Sequence, residues 1–217
     1  MKRFTSLLTL FLVLFVSGLA QGQIALNDVE RYTACQLYLD EGGGPFFWTD
    51  GFYETGPYFQ DLDEVQGDHH LRSVHDTSVI LDGSSLTVSG SFLGALSTDD
   101  PVDLIHAQVS ANILVTFVPS EPSGVSIEVD IPAGSEVYFF DMTDNVYDFD
   151  NSGPGVFTLD DSLIPGHEYL FQVFYGADLY STGPQQLERS VTLSMSVAPD
   201  PVGTTDVAWG AVKSLFR

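Results

Sequence analysis

The densest run of oxygen donors in this 217-residue chain is Asp141, Asp144, Asn145, Asp148, Asp150, Asn151 and Ser152, closed by Gly153. Within it, Asp148-x-Asp150-x-Ser152-Gly153 imitates the first half of a calcium loop, where alternate oxygens on a tight turn converge on a hard cation. The twelfth position holds Leu159, and Asp160 and Asp161 follow one and two residues late. Asp144, Asp148, Asp150, Ser152 and Asp160 are the expected ligands of a Ca2+ site. The competing reading is plain turn chemistry, which favours the same residue types.

Three histidines crowd into Asp68-His69-His70-Leu71-Arg72-Ser73-Val74-His75-Asp76. Imidazoles suit zinc or copper. On a strand, however, His69 and His75 share a face while His70 points away, so convergence requires a bend. His106 and His167 stand alone and are expected at the surface. The aromatic stretch Phe46, Phe47, Trp48, Phe52, Tyr53, Tyr58, Phe59 offers ring faces beside carboxylates, a combination that suits carbohydrate. Trp48, Tyr53 and Tyr58 are the expected stacking residues; the alternative is that these rings fill a core. No Gly-x-Ser-x-Gly elbow occurs, and the lone Cys35 lacks a partner at sequence level, so nucleophilic catalysis has no support. With 30 acidic residues, a carboxylate pair at glycosidase-like separation can arise by chance.

The elements that must position these groups alternate with period two. Val109, Ala111, Ile113, Val115 and Phe117 fall on one face of a strand over 105–118, and Ser110, Asn112 and Thr116 fall on the other. Val191, Leu193, Met195 and Val197 repeat the pattern, as do Tyr169, Phe171, Val173 and Tyr175 after Pro165-Gly166. Strands are also expected at 124–131, 136–141 and 156–159. Those at 78–81 and 86–92 flank Asp82-Gly83-Ser84-Ser85, a hairpin signal. Residues 40–68 read as a decorated loop region with short strands. No convincing helical period occurs within the domain. About eight to ten strands at this spacing predict an all-β fold: a single antiparallel β-sandwich, jelly-roll-like, with a barrel as the alternative.

The N-terminus reads as an export signal. Met1-Lys2-Arg3 is cationic, residues 7–16 are almost wholly apolar, and Ser17-Gly18-Leu19-Ala20 ends small-x-small. The apolar stretch is shorter than a membrane span needs. Cleavage is expected after Ala20, with Gly22 as second choice and an uncut anchor as the alternative. The expected organisation is signal peptide 1–20, sandwich 21–198 and tail 199–217. The formal charge is −23, and loss of Lys2 and Arg3 makes it two units more negative. Such a field repels nucleic acid and anionic lipid, and no membrane span is expected after cleavage. A single cysteine allows no internal disulfide, so the core must suffice, with Cys35 as a small buried hydrophobe.

Several elements of the second half together resemble bacterial exported proteins of the PEP-CTERM and choice-of-anchor kind. They are the strand Ser110 to Phe117, the apolar strand Ser135 to Phe140, the turn Leu163-Ile164-Pro165-Gly166-His167-Glu168-Tyr169, and Ser190 to Val197 followed by Pro199-Asp200-Pro201. The resemblance implies an extracellular or surface location and no particular activity. The tail departs from the PEP-CTERM pattern, because residues 202–216 are too short and polar to span a bilayer. Its ending, with Trp209, Gly210 and the final Arg217, resembles a different short C-terminal signature on exported bacterial proteins and implies sorting; a frayed end or a packed helix is the alternative. The first functional expectation is a non-enzymatic surface β-sandwich with a structural or adhesive role, whose partners are polysaccharide or other surface proteins. A carbohydrate-binding module, supported by calcium, comes second. A secreted hydrolase using carboxylates comes third.

Overall fold

A computed structural model describes residues 23–39, 46–99, 105–181 and 184–200. These residues form β1 (Ile24–Leu39), β2 (Phe46–Phe52), β3 (Gly56–Gln66), β4 (His69–Asp82), β5 (Ser85–Thr98) and β6 (Ile105–Pro119). The chain continues through β7 (Ser123–Ile131), β8 (Ser135–Asp141), β9 (Val146–Ser152), β10 (Gly155–Leu163), β11 (Tyr169–Ser181) and β12 (Gln185–Pro199). Two six-stranded antiparallel sheets result, in the orders β2-β1-β6-β11-β8-β9 and β10-β7-β12-β5-β4-β3. The fold is the all-β sandwich that the alternating pattern predicts. β5 passes to β6 in the opposite sheet, and β11 passes likewise to β12. Because β12 pairs with β5 and β11 with β6, one two-stranded ribbon wraps both sheets, which is the jelly-roll feature. Among the described residues no helix is long and apolar enough to cross a membrane.

Alternation places one set of side chains between the sheets. Val109, Ile113 and Phe117 from β6 meet Phe171 and Tyr175 from β11 and Phe92 and Leu96 from β5, all essentially inaccessible. Full burial of each large side chain stabilises the fold by about 1.5–3 kcal/mol. Cys35 lies in this core as a free thiol, as expected of it. Burial, reinforced by Glu64 and Asp63, pushes its thiol up to about 12, so it is no nucleophile. The β4–β5 hairpin closes through Gly83, at φ 58°, and Ser84, because Asp82 pairs with Ser85.

Two expectations are corrected. Residues 56–66 form a full edge strand, β3, joined to β4 by a second tight turn at Gly67-Asp68. The strand escaped sequence reading because only its inward side touches the core, leaving Phe59 and Val65 exposed. Residues 146–152, part of the 141–153 run read as a calcium loop or a plain turn, form edge strand β9, with Asp150 opposite Tyr138 and Ser152 opposite Glu136.

Candidate functional site

The strand assignment bears directly on the expected Ca2+ ligands. Asp148, Asp150 and Ser152 sit at alternate positions of extended backbone, where one-sided neighbours are about 6–7 Å apart along the chain. They do not close the tight loop that a half-EF pattern needs. Asp160 lies on β10 in the opposite sheet. Of the expected set, Asp144 is brought to other candidate ligands, whereas the side chains of Asp148 and Asp150 fall outside the described residues.

Its neighbours come from two turns that grip each other. Asp141, at the end of β8, accepts the backbone N–H groups of Thr143 (2.9 Å) and Asp144 (3.0 Å) on Oδ1, and its Oδ2 lies 2.8 Å from His167 Nδ1. Asp144 Oδ2 lies 3.8 Å from the same nitrogen. Met142 N–H donates to the Glu168 carbonyl, and Glu168 N–H donates to Thr143 Oγ1. The β8–β9 and β10–β11 turns are thereby laced together. Asn145, at φ 57°, closes the first turn. One ligand atom each from Asp141, Asp144 and His167 falls within 4.8 Å of the others, so the three could hold a metal ion. Asp141 resists burial of its charge, but the N–H donors of Asp144 and Thr143 and the imidazole of His167 outweigh this and hold its carboxyl below the usual range. His167 is raised by the same hydrogen bond. Sequence reading left His167 isolated because its partner lies 26 residues away and only the fold closes that gap.

The Leu163-to-Tyr169 motif acquires a reason here. Gly166, at φ 81°, donates to the Pro119 carbonyl, while the Tyr169 hydroxyl accepts the Ile164 N–H at 2.9 Å. The ring of Tyr169 meanwhile stacks on Phe139, with centroids 5.6 Å apart. A cavity of about 160 Å³ opens beside the turns, bounded by Asp141, Asp144, Asp161 and Tyr169. It is smaller than the roughly 300 Å³ at which small-molecule pockets begin.

The three clustered histidines do not converge. His69 is buried against Thr98, His70 is exposed and bonded to Asp63, and His75 is buried with Nδ1 3.2 Å from the Tyr32 carbonyl. The expected sugar-stacking set divides as well. Tyr58 is buried against Phe52 and His75, whereas Tyr53 is exposed. Tyr58 therefore belongs to the core and is corrected out of the set. Trp48 lies on β2, and its side chain falls outside the described residues, as do the export signal and the tail with Trp209, Gly210 and Arg217.

Besides Tyr53 and Phe59, a larger set of rings outside the expected stretch faces outward. The outer face of the β2-β1-β6-β11-β8-β9 sheet carries Tyr32 and Tyr38 on β1, His106 on β6, Phe174 and Tyr180 on β11, Tyr138 and Phe140 on β8, and Tyr147 on β9. Tyr38, His106 and Tyr180 stand opposite one another and stack, with centroids 5.2 and 4.1 Å apart. Asp178 lies 3.1 Å from His106 Nε2. Near the other end of the strands, Tyr138, Phe140, Met142, Tyr147, Leu170 and Gln172 line a groove of about 390 Å³. In it, Tyr147 lies 4.4 Å from Phe140 and 6.3 Å from Tyr138 by ring centroids. Amides interleave: Gln172 Nε2 donates to Asn112 Oδ1, and Gln36 Oε1 accepts from the Tyr38 hydroxyl. The outer face of the other sheet mixes hydroxyls, among them Ser126, Ser196 and Thr87 in one row and Ser194 and Ser89 in the next, with the carboxylates of Glu128 and Asp130 and the exposed Phe59 and Val65. Spacing alone could not reveal the ring face, because its members come one or two at a time from five strands.

The chain matches no family model and no curated protein. Among solved structures, it is similar to the GH31 alpha-xylosidase from Xanthomonas citri at 8% identity and a TM-score of 0.24. That match covers 82% of this chain and 28% of the xylosidase chain, so the sequence spans less than a third of that protein, and a likeness this slight carries no argument.

Proposed function

We propose that this protein is an exported, non-enzymatic binding module that adheres to polysaccharide through the outer face of its β2-β1-β6-β11-β8-β9 sheet. One observation carries the reading: a ring-lined groove of about 390 Å³ within a face of aromatics and amides. Groove size and lining match a ligand site with a few orienting polar groups. Exposed tyrosines supply flat apolar area at low entropic cost, and amides exchange hydrogen bonds with hydroxyls. The expected export signal and the resemblance to surface proteins support a location where polysaccharide is met.

The hydrolase reading is weaker. A general acid needs its carboxyl held up, and the environment of Asp141 holds it down. Calcium support is weaker too. Calcium takes oxygen ligands, and the clustered donors include an imidazole, which suits a borderline cation better. Melting with millimolar calcium and then with chelator should leave the midpoint unchanged; a rise with calcium would restore that ion to the account.

The test is binding of the mature protein to soluble and insoluble polysaccharides by calorimetry and pull-down. Tyr147→Ala and Tyr180→Ala should each weaken binding about tenfold, equivalent to about 1.4 kcal/mol, without altering the circular dichroism spectrum. Absence of binding to every polysaccharide tried at millimolar sugar would end the proposal.

A further inference from the structure

The ring face has a charge pattern that narrows its ligand. Asp178 sits beside the Tyr38–His106–Tyr180 stack, Glu136 beside the groove, and Glu30 beside Tyr32. Each of the three lies on the outward side of its strand: Glu136 shares a row with Phe174 and Tyr32, Glu30 shares one with Tyr138, and Asp178 lies in the row next to the stack. Two are tethered but keep a second oxygen: Asp178 Oδ1 faces His106, and Glu136 Oε2 accepts from the Tyr138 hydroxyl at 2.5 Å. The three arginines among the described residues all lie elsewhere. Arg31 is buried between the sheets, Arg72 pairs with Asp61 on the other sheet, and Arg189 donates to the Ala133 carbonyl. A face of rings and carboxylates, on which no lysine or arginine of the described residues lies, repels sulfated and uronic polymers. It attracts ammonium groups twice over, because carboxylates bind them by charge and aromatic faces bind them through the ring quadrupole. The chain's overall −23 charge extends the same field outward and opposes docking of a second copy on this face.

Resting on the polysaccharide reading above, we infer that the ligand is a polysaccharide bearing free amino groups, a de-N-acetylated amino-sugar polymer, held by rings on the sugar faces and by Asp178, Glu136 and Glu30 on the ammonium groups.

The experiment titrates the mature protein at pH 5.5 with four hexasaccharides: β-1,4-linked glucosamine, its N-acetylated form, the glucose analogue and oligogalacturonate. The glucosamine oligomer should bind at least tenfold tighter than either neutral one and weaken as salt is raised, and the uronate should not bind. Asp178→Asn with Glu136→Gln should cost at least tenfold for the glucosamine oligomer alone. Glu128→Gln with Asp130→Asn, on the outward side of β7 in the other sheet, should cost nothing. If the neutral oligomers bind as tightly as glucosamine, the amine preference is wrong and the polysaccharide reading stands. If none of the four binds, and none of the wider polysaccharides does either, both fall. If the β7 pair costs as much as the ring-face pair, the attraction is general to an acidic surface and the inference is overturned.

Discussion

Arg31 and His75 are both wholly buried, and both border the ring of Tyr58. The guanidinium carbon lies 5.3 Å from its centroid and the imidazole centroid 4.8 Å from it, edge-on. Arg31 also lies over Phe52 at 4.7 Å and donates to the carbonyls of Glu54 and Gly56. One buried cation thus ties β1 to the corner between β2 and β3, beside an imidazole kept neutral. Burial, with a contribution from Arg31, pulls His75 down to about 3.

That pair sets an acid limit on the fold. A depressed histidine binds its proton only when unfolded between about pH 6.5 and 3, so stability falls as pH drops through that window. The slope contributed by His75 approaches about 1.4 kcal/mol per pH unit. Urea unfolding from pH 7 to 3.5 should show a slope shallower by one proton in His75→Phe than in the parent, whatever the variant's stability at pH 7. Equal slopes would show that His75 is solvated in the native state.

Arg31→Ala should lower stability by about 3 kcal/mol or more, because it removes two charge-assisted hydrogen bonds and leaves a cavity under Phe52 and Tyr58. Arg31→Met, which refills the volume without the charge, should lose less than half as much. Thermal and urea midpoints compare the two. Similar losses would mean that the hydrogen bonds matter and the packing does not.

The turn lock of Asp141 and His167 should give a second, opposite pH signature. His167 is raised, so its contribution is complete below about pH 6.5 and is lost as pH rises through its elevated value. Asp141 is lowered, so its contribution is complete above about pH 4 and is lost as pH falls through its depressed value. The lock is strongest between those limits. Asp141→Ala also frees the Thr143 and Asp144 N–H groups, a loss of about 2 kcal/mol, or about 4–8 °C in melting midpoint for a domain of this size. The drop should be larger at pH 5.5 than at pH 8.5; a pH-independent drop would assign the whole effect to the backbone hydrogen bonds.

Gly94→Ala tests the core where β5 faces β11. A methyl at Gly94 would fall inside the van der Waals envelope of the Tyr175 ring end and Val109, neither of which has slack in a packed interior. The expected loss is about 1–3 kcal/mol, read as the urea midpoint. Recovery in the double variant with Tyr175→Phe would locate the clash at the phenol oxygen.

Period-two alternation was enough to name the sandwich and its central strands, because β6, β11 and β12 are buried on one side along most of their length and each inward position had to be apolar. The Gly83 turn was legible for the same local reason: the residue that must take φ 58° is a glycine. Edge strands β3 and β9 did not announce themselves, since a strand with one neighbour and half a buried face tolerates Asp, Gln and Tyr at almost any position, so Asp148-x-Asp150-x-Ser152 could pass for a loop. What only tertiary structure decided was which distant residues share a place. His167 joins Asp141 across two turns, Tyr58 goes inward against Arg31 and His75, and Tyr38, His106 and Tyr180 line up from three strands far apart in the chain. Side-chain alternation is a property of each strand alone, whereas the pairing register that brings such residues together comes from packing the whole core at once.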